Sequence, residues 1–338
     1  MNQKMNTTNH HQHPIQSLLF NHHHCSEFSM SLRTNHAIIP SDSSLMDTPS
    51  STTTPTAMNI QTTSSIDPNE VNKFSLLARM NEWWNPNGSL KTLHHINPAR
   101  MEYIRSRVVN HFNLLHDDYK PFKGLTFLDV GCGGGLVSEC LARLGASSVI
   151  GLDASSDNIM IAKEHGKSIE NLEYIHSTVE GLIYKMTTLH NTSLNHSTMC
   201  SNTQNHTSGT SVYTHTSFDC IVCLEVIEHV AHAESFIQSL SQLLKPNGLL
   251  IMSTMNRTPK SYLQTIVMAE YLLGIVPRGT HDWRKYVTPQ EMCIFMKKAN
   301  IELVDVESME YNPFTHRTTI GGDGNVDVNY FVVGRKRP

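Results

Sequence analysis

Seven residues, Asp129-Val130-Gly131-Cys132-Gly133-Gly134-Gly135, join a short apolar run to a stretch of helical periodicity, and few folds accommodate that junction. The run before it, Thr126-Phe127-Leu128-Asp129-Val130, has the length and composition of a buried parallel strand. Residues 136–144 follow with apolar side chains at helical spacing and stop at Gly145. A loop between such elements must reverse tightly while a ligand approaches its backbone, and glycine does both without steric penalty. The alternation then continues. Residues 149–153 read as a second strand, 156–165 as a helix, 172–175 as a third strand and 218–224 as a fourth. Residues 236–244 form a helix closed by Lys245-Pro246-Asn247-Gly248, and 249–253 a fifth strand. A helix over 289–298 begins behind a cap at Thr288, and strands at 303–306 and 326–333 complete the series. The last of them alternates in part, as an antiparallel strand with one solvated face does. The pattern predicts an α/β fold: a doubly wound, mostly parallel, seven-stranded Rossmann-like sheet with an antiparallel last strand and helices on both faces.

Composition sets the limits of this domain. Residues 1–65 are mainly Asn, His, Ser, Thr and Gln, too polar to bury the surface that would offset the entropy of ordering them. We read them as a disordered low-complexity leader, with His22-His23-His24 part of the tract rather than a metal site. The domain is then 66–338. It is interrupted at 185–217 by a second Thr/Ser/Asn/His tract, read as a surface insert in a crossover where added length costs little.

A net charge of −4 gives no general reason to expect a nucleic-acid partner. The seven cysteines are scattered and odd in number, which points to a reducing compartment. Cys220 and Cys223 form a CxxC, but residues three apart on a strand face opposite sides, so both read as core. No apolar run is long enough to span a bilayer; residues 262–277 come nearest and carry Glu270. Few acidic residues in the leader suit a mitochondrial presequence, whereas Arg33 is the only arginine before Arg79, which argues against a strong one.

Glycine-rich turns also serve dinucleotide enzymes. Here the glycines run GxGGG, directly behind the acidic Asp129. That pattern resembles the first motif of class I methyltransferases, and the resemblance implies S-adenosylmethionine (SAM), with Asp129 near its amino-acid end. Asp153, at the end of the second strand, stands where doubly wound folds hold ribose hydroxyls, or else caps the helix entered through Ser155-Ser156-Asp157. Glu180 either approaches the adenine or is a solvated loop carboxylate.

Directly after the fourth strand comes Leu224-Glu225-Val226-Ile227-Glu228-His229. In open α/β sheets the carboxyl ends of central strands border the binding crevice. A helix starting there would bring Glu225, Glu228 and His229, at i, i+3 and i+4, onto one face as a partial shell for a divalent cation. The alternative is an acidic helix start favoured by the dipole. A cation beside a methyl donor has a chemical use. A phenol titrates near pH ~10, and chelation stabilises its anion and fixes the attacking oxygen.

The string Trp83-Trp84-Asn85-Pro86, with Leu93-His94-His95-Ile96-Asn97-Pro98-Ala99-Arg100, resembles the opening of the ubiquinone-biosynthesis O-methyltransferases. The likeness continues through Asp129–Gly135, Glu225–His229, Ser253-Thr254-Met255-Asn256-Arg257, Pro277-Arg278-Gly279-Thr280-His281-Asp282-Trp283 and Val326-Asp327-Val328-Asn329-Tyr330, and covers most of 66–334 apart from the insert. It implies that Arg100, Gly131, Asp153 and Leu224 line the SAM pocket, and that Glu225, Glu228 and His229 bind Mg²⁺ and take part in catalysis. Leu224 stands where bacterial relatives often carry Met, a nearly volume-conserving exchange. The implied reaction is O-methylation of a polyprenyl dihydroxybenzoate and a demethylubiquinol. The implied setting is peripheral, on the matrix side of the mitochondrial inner membrane, among other ubiquinone-biosynthesis proteins. For such a substrate, the apolar helix expected over 261–276 is either core or membrane-facing. The competing readings are a Mg²⁺-dependent small-RNA 2′-O-methyltransferase, with His281 as a further ligand, and a non-catalytic scaffold of the same biosynthetic complex.

Overall fold

The computed structural model describes residues 65–79, 83–85, 87–116, 118–197, 217–272, 278–322 and 325–338. The expected leader therefore lies outside the described residues, apart from Ser65. Two helices precede the sheet, α1 (Pro68–Arg79) and α2 (Lys91–His111). The alternation then runs β1 (Thr126–Val130), α3 (Leu136–Arg143), β2 (Ser148–Asp153), α4 (Ser156–Gly166), β3 (Leu172–His176), α5 (Val179–Ser197) and β4 (Phe218–Leu224). After a single turn at Ile227–His229 come α6 (Ala233–Leu243) and β5 (Leu244–Met255). Next is α7, which opens at Pro259–Ser261 and continues as a wider π-helical stretch over Tyr262–Leu272. The chain closes with α8 (Pro289–Lys298), β6 (Ile301–Asn312), β7 (Arg317–Ile320) and β8 (Asn329–Lys336).

The eight strands lie in the order β3-β2-β1-β4-β5-β8-β6-β7. β1 to β5 are parallel, and β8 enters antiparallel between β5 and β6. The doubly wound class is as expected. The added eighth strand, β7, pairs antiparallel with the end of β6 at the sheet edge. Alternation along the strands builds two cores. Leu128, Ile150, Ile221 and Leu250 face α5, α6 and α8, while Phe127, Val149, Val222 and Ile251 face α2 and α3. Each such buried side chain contributes about 1.5–3 kcal/mol. Cys223 belongs to the first core and Cys220 to the second, so the CxxC is split across the sheet. Thr288 caps α8 reciprocally with Glu291, as the cap signal suggested.

Two expectations change. Helix α5 continues to Ser197, so residues 185–197 of the expected insert are helical, and 198–216 lie outside the described residues. Leu182 and Met186 anchor α5 in the core, and the Thr187 and Thr188 hydroxyls fold back onto carbonyls four residues earlier, so polar residues continue the helix. The Lys245–Gly248 segment does not stand between helix and strand; it is the irregular start of β5, with Asn247 in the left-handed region at φ 63°.

Candidate active site

The strand order reverses direction between β1 and β4, and the crevice beyond their carboxyl ends is a cavity of about 290 Å³. The glycine turn forms its floor. Gly131 N–H donates to Leu152 O at 2.7 Å, and Gly133 N–H to Asp153 Oδ2 at 2.9 Å, which ties the turn to the end of β2. Gly131 sits at φ 72°, where a Cβ would fall 2.4 Å from Val226 Cγ2. Gly133, at φ 53°, is covered by the Trp83 ring. Trp83 Nε1 donates to Asn158 at 2.9 Å and Trp84 Nε1 to Gly134 O at 2.9 Å. His94 Nε2 lies 2.7 Å from Trp83 O. The paired tryptophans thus clamp the glycine turn, with His94 holding Trp83, a task that their place in the sequence does not reveal.

Asp129 is buried and accepts from Ser138 Oγ at 2.5 Å. Burial, with Asp153 nearby, pushes its pKa up to about 7, so a cation placed against it would favour the anion. Asp153 Oδ1 accepts from Ser155 N at 2.8 Å and Asn158 Nδ2 at 3.2 Å, while Ser155 itself caps α4. Asp153 therefore organises both the helix start and the glycine turn, and it also lines the cavity. Glu180 is not among the cavity's lining residues.

The turn after β4 departs from the expected helix. Parallel pairing with β5 runs through Leu224, and Glu225 N–H still donates to Ser253 O at 3.0 Å. Glu225 then takes φ 55°, which is incompatible with a helix start, and a tight 3₁₀ turn over Ile227–His229 follows. The three side chains consequently do not share a helical face. Glu225 and His229 line the cavity, whereas Glu228 is buried behind it. Glu225 Oε1 accepts from Ser253 Oγ at 2.6 Å and faces the buried Arg100 guanidinium at 3.4 Å. Glu228 Oε2 accepts from Thr254 Oγ1 at 2.9 Å, and its Oε1 is buried without a hydrogen-bond partner. Burial, with Glu225 beside it, raises its pKa to about 7. His229 Nδ1 meets Glu70 Oε2 of α1 at 2.9 Å, and this contact holds the Glu70 carboxyl down at about 2. Among the described residues no group of three His, Cys, Asp or Glu side chains is arranged to hold a metal ion.

Arg100, Gly131, Asp153 and Leu224 all line the one cavity, together with Glu225 and His229. Glu70 and Phe74 of α1 line it too. So does His281, whose Nδ1 lies 2.9 Å from Glu270. Sequence reasoning took Glu270 only as a charge in an apolar segment. A carboxylate there needs partners if it is buried, and that was the available signal.

A methyltransferase-domain family model matches residues 102–306. The mitochondrial ubiquinone biosynthesis O-methyltransferase of Arabidopsis thaliana is 39% identical over 278 residues, covering 81% of this chain and 76% of its own. The ubiquinone biosynthesis O-methyltransferase of Dinoroseobacter shibae is 37% identical, covering 82% and 98%. The chain belongs to the ubiquinone biosynthesis O-methyltransferase family. Its fold is that of SAM methyltransferases more widely: magnesium protoporphyrin IX methyltransferase from Synechocystis, solved with bound S-adenosylhomocysteine, superposes with a TM-score of 0.50 at 14% identity, over 79% of this chain and 97% of that one. In this family member the glycine turn and the Leu224–His229 turn meet in one crevice, with the tryptophan pair closing over the first.

Proposed function

We propose that this chain is a SAM-dependent O-methyltransferase acting on catechol-type hydroxyls of polyprenylated ring intermediates in ubiquinone synthesis, namely a polyprenyl dihydroxybenzoate and a demethylubiquinol. One observation carries the reading: the glycine turn with Asp129 and Asp153 shares a single cavity with the Glu225–His229 turn, so a sulfonium donor and a ring oxygen can meet there. The residues suit SAM. Gly131 and Gly133, at φ 72° and 53°, make the tight turn on which Val226 and Trp83 pack, Asp153 can exchange its Gly133 contact for ribose hydroxyls, and the Asp129 carboxylate complements a cationic amino-acid end. Arg100 and Leu224 close the pocket from α2 and β4.

Mg²⁺ belongs to the same proposal, with Glu225, Glu228 and His229 as the residues that would hold it; they are not arranged as a metal shell here, so Glu228 and His229 would have to turn from Thr254 and Glu70 to do so. Two carboxylates and an imidazole are suitable donors, and the unpartnered buried Oε1 of Glu228 is an acceptor that a cation would satisfy. Bound there, the ion supplies Lewis acidity toward a chelated hydroxyl. The protein's own part is to hold the ring oxygen in line with the methyl group and to exclude water from the crevice.

Acidic side chains (Asp67, Glu70, Asp129, Asp153 and Glu225) outnumber Arg100 around the cavity, which favours a neutral ring over a polyphosphate chain. Purified full-length protein is expected to methylate a short-tailed demethylubiquinol analogue and not the 3′-terminal ribose of a small RNA. Label appearing only on the RNA, read by transfer from radioactive SAM, would overturn the assignment.

The setting we propose is peripheral, on the matrix face of the mitochondrial inner membrane, alongside other proteins of the pathway. The relative from Arabidopsis is named mitochondrial, and no described helix is long and apolar enough to cross a membrane. α7 supports surface attachment. Leu263, Tyr271 and Leu272 are 54%, 54% and 67% exposed, while Ser261 and Glu270 are buried, so one face of the helix, described as far as Leu272 of the expected 261–276, is turned away from the core. Arg278, stacked on Tyr271 at 5.2 Å, adds a charge suited to anionic headgroups. Wild-type protein should float with cardiolipin-containing liposomes, and the Leu263→Ser/Leu272→Ser variant should remain in the dense fraction. Equal flotation of the two would remove α7 as the attachment site.

A further inference from the structure

Two imidazoles line the cavity, each with its Nδ1 held by a carboxylate from a different element. His229 is held by Glu70, and His281 by Glu270. The ring centroids are 6.4 Å apart. The second pair is the more completely fixed. Glu270 is 2% exposed; its Oε2 accepts from Gly279 N at 2.7 Å, and its Oε1 from both His281 N and His281 Nδ1 at 2.9 Å. A carboxylate that receives two backbone N–H groups is an acceptor toward the ring as well, so the hydrogen of the neutral imidazole resides on Nδ1. Nε2, on the opposite edge, keeps its lone pair on the side away from Glu270. An imidazole held in one tautomer by a buried carboxylate is the arrangement that presents a proton acceptor to a bound hydroxyl.

We propose that His281 is the general base of the methyl transfer and that Glu270 is its positioning residue. The assignment rests on the reading of a catechol-type hydroxyl as the acceptor. It divides the work between the two histidines, leaving His229 to the Glu225–Glu228 turn. Nε2 takes the hydroxyl proton as the ring oxygen forms its bond to the methyl carbon. The sulfur–methyl bond breaks with its electron pair passing to sulfur, so the sulfonium becomes a neutral thioether and the positive charge ends on the imidazolium facing Glu270. That proton then leaves to solvent.

A base matters only while the substrate holds its proton, and the test uses that. A short-tailed catechol analogue is compared with its nitro-substituted counterpart, which is an anion near neutral pH. His281→Asn keeps a donor for Glu270 and removes the Nε2 acceptor. On the plain catechol, kcat is expected to fall by about 100-fold or more, the usual scale for losing a general base. On the nitrated ring it should stay within about threefold of wild type. Glu270→Gln should follow the same split with a smaller loss. The nitrated ring also gives a readout without turnover. At a pH where the free ring is neutral, wild type loaded with S-adenosylhomocysteine should draw the bound ring into its coloured anion, and His281→Asn should not. Equal losses on both rings would make His281 structural, and no loss on the catechol would place the base elsewhere. Failure of the wild type to methylate either ring would instead overturn the substrate reading, and the proposal with it.

Discussion

Gly131→Ala is expected to weaken SAM binding and methyl transfer by about 100-fold, and Val226→Ala added to it should recover part of the loss. Two costs combine at this position. The residue sits at φ 72°, where a side chain costs about 1–2 kcal/mol. The new Cβ would also lie 2.4 Å from Val226 Cγ2, an overlap that the neighbouring backbone must relieve by moving. Overpacking of that kind costs about 1–3 kcal/mol. Val226 lies between Glu225 and the 3₁₀ turn, so the displacement would reach the glycine turn and the Glu225–His229 turn together. Removing the valine methyl groups takes away the overlap and leaves only the backbone cost. Calorimetric titration with SAM on the four proteins of the cycle, with thermal unfolding to establish that each is folded, gives the coupling directly. A Gly131→Ala protein that binds like wild type, or a double variant no better than the single, would show that the turns do not press on one another as described.

The sheet was legible because buried parallel strands are short apolar runs, and because glycine, proline and a capping threonine punctuate them at fixed places. β1, β2, β4 and the cap of α8 stand where those signals put them. What escaped the sequence depends on contacts between distant residues. Helix α1 is short and mixed in polarity, and its part in the site comes from Glu70 reaching His229, 159 residues later. The Glu225–His229 spacing fits a helical face, yet the local backbone is decided by Ser253, whose carbonyl takes the Glu225 N–H and whose hydroxyl takes its carboxylate. No periodicity encodes that. The clamp of Trp83 and Trp84 on the glycine turn was visible only as a family signature; its physical reason is that glycines leave a hollow an indole can cover. Glu270 stood out only as a charge in an apolar segment for a related reason. A charge in an apolar helix is ambiguous until its partners, here Gly279 and His281 in the following loop, are known.

Glu225→Ala should lower methylation of a short-tailed demethylubiquinol analogue by about 1,000-fold or more, and EDTA should reduce the wild type to a similar level. Glu225 has two distinct jobs to lose, and the two treatments separate them. It faces Arg100, a buried guanidinium whose Nε has no hydrogen-bond partner, and removing the carboxylate takes away its ion-pair partner and leaves Glu228 and Asp129 as the remaining compensating charges. Losing one partner of a buried ion pair costs about 3–5 kcal/mol, so some loss of thermal stability is expected whatever happens to catalysis. The second job is the proposed cation. If activity fails because the cation is gone, EDTA adds nothing to the Glu225→Ala protein, since both treatments remove one and the same interaction. If it fails because Arg100 is left unpaired, EDTA lowers the residual rate further. Glu225→Gln sharpens the distinction, because the amide oxygen still accepts from Ser253 and faces Arg100, so less stability is lost than in Glu225→Ala although the counter-charge is gone, while a neutral group is a poor ligand for a hard cation. A stable but inactive Glu225→Gln enzyme, insensitive to EDTA, assigns Glu225 to the metal. Full activity of the wild type in EDTA would remove the cation from the mechanism and leave Glu225 as the counter-ion of Arg100, with proton removal by His281 as the remaining route to a nucleophilic oxygen.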